Sequence, residues 1–277
     1  MASLQAVEVE EGERFAFGKN WQRFLATLSE ARIVEAEKSL TDMLGCDLAG
    51  RRFLDVGSGS GLFSLAARRL GARVHSFDYD PQSVACTREL RRRFSGDDPD
   101  WVVEEGSVLN AEYMASLGEL DVVYSWGVLH HTGDLWRALA NALKPLAPGG
   151  LFYIAIYNQC GFASSFWRRV KKTYCSGFWG RVATKTLFIP YFAARSVAVG
   201  IVKYGNPWKY FTEYRKNRGM SIYTDWIDWL GGYPFEVAKP EEVFAFCDGR
   251  GLVLRKLVTT NGSACNQFVF QRATGSD

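Results

Sequence analysis

The chain has 277 residues, of which 47% are hydrophobic and 23% charged. That apolar content supports one large domain, or a core with an insertion, and excludes global disorder. The net charge of +3 is too small by itself to argue for nucleic acid or an anionic membrane.

Met1 to Glu13 is polar and acidic and is expected to fray. It lacks the basic-then-apolar pattern of a signal peptide. No uncharged run reaches membrane-spanning length, so the expectation is a soluble cytoplasmic protein without a membrane span. The six cysteines, at 46, 86, 160, 175, 247 and 265, have no C-x-x-C pairing and read as reduced, mostly core thiols. After the aromatic and basic stretch Phe15–Phe24, apolar spacing predicts one amphipathic helix from Leu25 to Leu44. Strands are predicted near Arg52–Val56, Arg73–Asp78, Trp101–Glu105, Leu120–Ser125 and Leu151–Tyr157. Helices are predicted near Gly61–Leu70, Pro81–Phe94, Glu112–Leu117 and Leu135–Leu146. Such alternation implies a parallel sheet covered by helices, with ligands at the carboxyl ends of the strands. Asn158–Val237 breaks the rhythm: it is aromatic and basic, with helices near Phe162–Tyr174 and Gly180–Tyr204 and turns at Gly205–Trp208 and Gly231–Pro234. A helix from Pro240 and a hairpin, Leu252–Thr259 with Asn266–Arg272, close the chain.

The sharpest motif is Asp55-Val-Gly-Ser-Gly-Ser-Gly61, a buried strand breaking into a three-glycine turn before a helix. Glycines permit positive φ and close ligand approach. The spacing is G-x-G-x-G, not the G-x-G-x-x-G of dinucleotide sites. Asp55 would repel a pyrophosphate but suits a cationic amino-acid ligand. The next strand ends in Asp78, about 20 residues on, where a carboxylate grips ribose hydroxyls. A site that wants a ribose and positive charge but no phosphate fits S-adenosylmethionine better than NAD or ATP.

These residues, with Phe77-Asp-Tyr-Asp80, Asp121-Val-Val-Tyr-Ser-Trp-Gly-Val-Leu-His-His131 and Leu146-Ala-Pro-Gly-Gly-Leu-Phe152, resemble the class I S-adenosylmethionine-dependent methyltransferases. Within that family the chain is most similar to the small-molecule enzymes of the ubiquinone-biosynthesis type. The resemblance covers roughly residues 50–157 plus the C-terminal hairpin. It implies an α/β fold: a Rossmann-like, doubly wound seven-stranded sheet, mostly parallel, with a C-terminal antiparallel hairpin and a helical aromatic-rich insertion. The expected organisation is 1–49, lid and helix; 50–157, S-adenosylmethionine-binding core; 158–238, insertion covering the acceptor site; and 239–277, the helix and hairpin completing the core.

For the cofactor, Asp55, Gly57, Ser58, Gly59 and Gly61 would hold the methionine part and Asp78 the ribose, with Tyr79 against the adenine. Asp80, before Pro81, reads as a helix cap. Ser107 stands where relatives often carry an acid for the adenine amino group, and Val108 would press on the ring. Ser125 and Trp126 end the fourth strand facing the sulfonium; Trp126 reads either as a core aromatic or as part of a wall around the methyl group. Lys19 or Asn20 would meet the methionine carboxylate, and Trp21 would shield the site. His130 and His131 are the candidates for a base, the alternative being that they pack or cap. Tyr157, Asn158 and, from the insertion, Trp167 are candidate acceptor contacts. No metal site is expected, since adjacent histidines lack ligand spacing.

The expected function is in-line transfer of the methyl group of S-adenosylmethionine to a small-molecule O, N or S nucleophile, with S-adenosylhomocysteine as product. The alternatives are an RNA or protein methyltransferase and a non-catalytic cofactor-binding partner. A small-molecule acceptor, not nucleic acid, is the expected partner, and nothing in the sequence assigns an oligomeric state.

Overall fold

The computed structural model describes residues 4–25, 28–218 and 222–274, with the side chains at 19, 20, 22, 23, 214–218 and 224 outside that description. Strands β1 (Arg52–Val56), β2 (Arg73–Asp78), β3 (Trp101–Glu105), β4 (Leu120–Trp126), β5 (Leu146–Tyr157), β6 (Leu252–Val258) and β7 (Cys265–Arg272) form one sheet. Its order is β3-β2-β1-β4-β5-β7-β6. The first five strands are parallel, and β7 runs antiparallel between β5 and β6. The seven-stranded, mostly parallel sheet with its C-terminal hairpin is the architecture expected.

Helices α1 (Leu4–Glu10), α2 (Gly18–Leu25), α3 (Glu30–Leu44), α4 (Leu62–Arg69), α5 (Pro81–Phe94), α6 (Ala111–Ser116) and α7 (Leu135–Ala142) precede β5. Helices α8 (Phe162–Cys175), α9 (Phe178–Tyr204), α10 (Pro207–Arg218), α11 (Ile222–Gly231) and α12 (Pro240–Asp248) follow it. Local chemistry sets several starts. Asp80 accepts from the Gln82 N–H with Pro81 at the first helical position, and Asn110 accepts from Glu112 and Tyr113. Such caps satisfy donors that the helix itself leaves free. The central strands are covered on both faces, so β1 buries Phe53, Leu54, Asp55 and Val56 in succession instead of alternating. One core, with Leu54, Phe152 and Phe270, lies on one face; the other, with Phe53, Leu65 and Trp101, lies on the opposite face.

Several elements differ from expectation, among them α10 and α11, which the sequence did not predict. Residues expected to fray include α1, tied down by the Arg14–Glu8 ion pair at 2.8 Å. The predicted 25–44 helix is split into α2 and α3, because Ser29 takes the extended conformation of a helix cap. Helix α7 stops at Ala142, since Lys144 precedes Pro145 and that position disfavours the α region. Strand β5 therefore begins at Leu146, pairing with Leu120 before a register shift. Finally, the turn at Gly205–Trp208 is brief: Gly205 ends α9 with φ +64° and Pro207 already opens α10.

Candidate active site

The strand order reverses between β1 and β4, where α/β sheets form crevices at the strand carboxyl ends. A cavity of about 940 Å³ opens there. Its floor is the glycine turn. Gly57 has φ +80° and Gly59 φ +55°. A Cβ on Gly57 would fall 2.3 Å from Val128, and one on Gly59 would fall 3.1 Å from the Trp21 ring. Trp21 therefore rests directly on the turn.

Two carboxylates face this floor. Asp78 accepts from the Gly59 N–H through Oδ2 and from the Asp80 N–H through Oδ1, each at 2.9 Å. Burial pushes its carboxyl up to about 6. Asp55 is buried, and burial raises it to about 7. Among the described residues, neither shift has a cationic neighbour among its causes. Asp55 is held from behind by a chain of buried donors: Ser64 Oγ donates to Asp55, Ser76 Oγ to Ser64 at 2.8 Å, and Trp101 Nε1 to Ser76 at 2.9 Å.

Of the other residues expected around a cofactor, Ser58, Tyr79, Ser107, Val108 and Trp126 line the cavity. The Ser58 hydroxyl pairs with Thr87 at 2.9 Å, and Ser107 Oγ accepts from the Leu109 N–H. Trp126 is exposed into the cavity mouth, with Nε1 donating to Gln267 at 3.4 Å. Gly61 and Ser125 are not lining residues. Gly61 sits against Thr87, and the Ser125 hydroxyl donates to the Val56 carbonyl, tying β4 to β1. Lys19 lies on α2, but its side chain is outside the described residues.

The two histidines part company. His131 lines the cavity, whereas His130 is fully buried behind it, 4.5 Å from the His131 ring. The Nδ1 of His131 lies 2.6 Å from the Pro234 carbonyl. A carbonyl only accepts, so Nδ1 carries the hydrogen and Nε2 is the bare nitrogen. Burial, with the charges of Lys171 and Arg14, lowers His131 to about 3 although the carbonyl contact opposes this. The ring is therefore neutral at physiological pH. His130 accepts from the Tyr157 N–H at 3.4 Å, and its Nε2 has no hydrogen-bond partner among the described residues.

Tyr157, Asn158 and Trp167 do not line the cavity. The Tyr157 ring packs 4.1 Å from His130 and 5.6 Å from His131. The Asn158 amide donates to the Thr260 carbonyl and accepts from Asn266, both at 3.1 Å. Trp167 stacks on Phe192 in a separate cluster with Trp229. Among the described residues, no lining residue comes from 158–238; that segment reaches the site from behind, through the Pro234 carbonyl on His131.

Arg14 and Tyr124 were not singled out in the sequence. Arg14 donates to the carbonyls of His131 and Thr132 and lies over the Tyr79 ring at 5.0 Å, closing the N-terminal segment onto the rim. Tyr124, register partner of Asp55, lines the cavity with a buried hydroxyl that has no hydrogen-bond partner among the described residues. Only the neighbouring of β1 and β4 would have pointed to it.

The chain matches a family model described as a methyltransferase domain over residues 21–224. Among curated proteins it is similar to the ubiquinone biosynthesis O-methyltransferase of Xanthomonas oryzae pv. oryzae, at 35% identity over 113 residues, 41% of this chain and 46% of that protein. The protein of the same name from Rhizobium rhizogenes is 33% identical over 113 residues, 40% of this chain and 43% of the other. The match thus spans about half the length of these relatives. Among solved structures, an O-methyltransferase family protein from Burkholderia thailandensis superposes with a TM-score of 0.55 at 12% identity, covering 90% of this chain and 57% of that one. Magnesium protoporphyrin IX methyltransferase from Synechocystis PCC 6803, solved with bound SAH, gives 0.52 at 11% identity, covering 88% and 83%. At such identities the likeness is one of fold.

Proposed function

This chain belongs to the S-adenosylmethionine-dependent methyltransferases, and from that premise we propose that it methylates an acidic hydroxyl, of phenol type, on a small molecule. The observation that carries the reading is the convergence in one cavity of the glycine floor, the buried Asp55 and half-buried Asp78 carboxylates, whose shifts have no cationic cause among the described residues, and the neutral His131 ring. The carboxylates fit the cofactor's chemistry: acids raised to about 7 and about 6 by desolvation favour a cationic or donor-bearing ligand. Asp78 would take the ribose hydroxyls on the lone pairs its backbone contacts leave free, and Asp55 would face the cationic amino-acid end. Tyr79 and Val108 would flank the adenine, while Trp21 covers the glycine turn. When bound, S-adenosylmethionine supplies an electrophilic methyl group.

The rest of the task falls to alignment, exclusion of water and one proton acceptor. His131 is that acceptor in our reading, and His130 and Tyr157 fix its plane from behind. An imidazole lowered to about 3 is a weak base, and base strength is best matched to the group it serves. It suits a hydroxyl that is already acidic more than an alkyl alcohol. The names of the curated relatives favour oxygen as the acceptor. The aromatic edges of Phe15, Phe17 and Trp126 in the lining favour a small aromatic acceptor over a polymer. Incubating the protein with S-adenosylmethionine and separate pools of phenols, alkyl alcohols, amines and thiols, and measuring S-adenosylhomocysteine release, tests this reading. Release only with amines or thiols overturns it.

A further inference from the structure

Helix α9 carries a surface that methyl transfer does not use. It has 27 residues, with a mean hydropathy of 1.3 over its most apolar window, of which 17% is buried. By length and composition it is apolar enough to cross a membrane. Its faces are inverted. The side turned to the protein buries Thr184, Phe192, Ser196 and Gly200. The outward side presents Trp179, Leu187, Tyr191, Ile201 and Val202, the last 88% exposed. A helix on a water-soluble protein normally puts such residues inward. The inward contacts are backbone-close: a Cβ on Gly200 would fall 2.6 Å from the Pro207 carbonyl, and one on Gly180 would fall 2.0 Å from that of Thr173. Small residues at helix crossings with apolar residues outside is the pattern of helices that face lipid.

The charge supplies the second observation. Helices α8 and α9 carry eight Lys and Arg and no Asp or Glu; of the eight, only Lys171 is buried. Across 158–238 there are 12 basic and 4 acidic residues, a net +8 in a chain of +3, which leaves −5 elsewhere. We propose that this face is a docking surface for an anionic phospholipid bilayer, α9 lying in the headgroup region with Arg181, Lys185, Arg195 and Lys203 on lipid phosphates. Those four residues recur along the helix and break every long uncharged run, so α9 lies on the bilayer and does not cross it. A second copy is disfavoured as occupant because it would oppose two surfaces of net +8. The exposed Trp179 and, just past the helix, Trp208 suit the boundary between headgroup and acyl chain.

The test is co-sedimentation of the full chain with vesicles of phosphatidylcholine alone and of a three-to-one mixture with phosphatidylglycerol. Binding to the mixed vesicles should exceed binding to neutral ones by about 10-fold or more and weaken as salt rises. The combined Arg181→Gln, Lys185→Gln, Arg195→Gln and Lys203→Gln variant should bind both vesicles at the neutral level. Leu187→Glu with Val202→Glu should release the protein from both while leaving S-adenosylmethionine affinity unchanged. Should that double variant fail to fold, the glutamine variant decides alone, since it leaves the apolar face intact. Equal binding to the two compositions, binding insensitive to the basic residues, or no binding at all overturns the proposal. A concentration-dependent dimer abolished by Leu187→Glu and Val202→Glu, without vesicle binding, would assign the face to a second copy instead. None of these outcomes bears on the cofactor cavity, which is assayed separately.

Discussion

Strand β5 and helix α9 are both apolar and stand only 20 residues apart, yet they spend that character in opposite directions. Strand β5 buries Phe152, Ile154 and Ala155 completely, while α9 leaves Leu187 and Val202 in solvent and turns Thr184, Ser196 and Gly200 inward. Apolar residues in the sheet build a rigid frame whose strand ends hold the cavity. The outward apolar residues of α9, Leu187 and Val202 among them, stabilise the fold little and are free to meet something else. Chemistry and attachment thus occupy separate parts of one chain, and each part predicts a different response to substitution.

The largest effect is expected at the floor of the cavity. Gly57→Val places a branched side chain at φ +80° against Val128. It should destabilise the protein by about 3 kcal/mol and abolish cofactor binding, read by denaturant titration and calorimetry. Next, His131→Gln should lower kcat roughly 100-fold or more while leaving S-adenosylmethionine affinity within about threefold. Equal losses in both would make the residue a structural one. A smaller effect follows from Asp55 and Asp78. Their folded-state carboxyls are raised to about 7 and about 6, so the free protein carries protons there that a cationic ligand must displace. Affinity for S-adenosylmethionine should therefore rise by at least about tenfold from pH 5 to pH 8 and then level off. A flat profile over that range would remove the carboxylates from the account. The smallest effect belongs to α9: Leu187→Gln should change unfolding free energy by less than about 0.5 kcal/mol, whereas Phe192→Ala on the opposite face should cost about 3 kcal/mol. Equal costs would erase the contrast between its two faces.

Much of the frame was legible from the sequence because it is local. Arg52–Val56, Arg73–Asp78, Trp101–Glu105 and Pro81–Phe94 occur with the predicted bounds. These strands are short, β-branched or aromatic stretches between turn residues, and Asp80-Pro81 marks a helix start. The glycine turn and the strand-end acid Asp78 were readable for the same reason. What escaped depends on contacts between distant residues. The span from Gln5 to Arg14 lines the cavity through α1 and through Arg14, which reaches the His131 carbonyl 117 residues away. Tyr124 meets the cavity only because β4 lies beside β1. Which of two adjacent histidines faces the cavity is a matter of rotation in a short 3₁₀ turn, Leu129–His131. The inverted faces of α9 were also hidden, since periodicity reveals an apolar stripe but not whether that stripe faces a core or the outside.

The central claim is that the cavity at the ends of β1, β2 and β4 holds S-adenosylmethionine through the Asp78 carboxylate. Isothermal titration of the wild-type chain and of Asp78→Ala with S-adenosylmethionine tests it most directly. The account predicts binding by the wild type and a loss of about 100-fold in the variant, the worth of two charge-assisted hydrogen bonds. Equal affinity in the two proteins would contradict it.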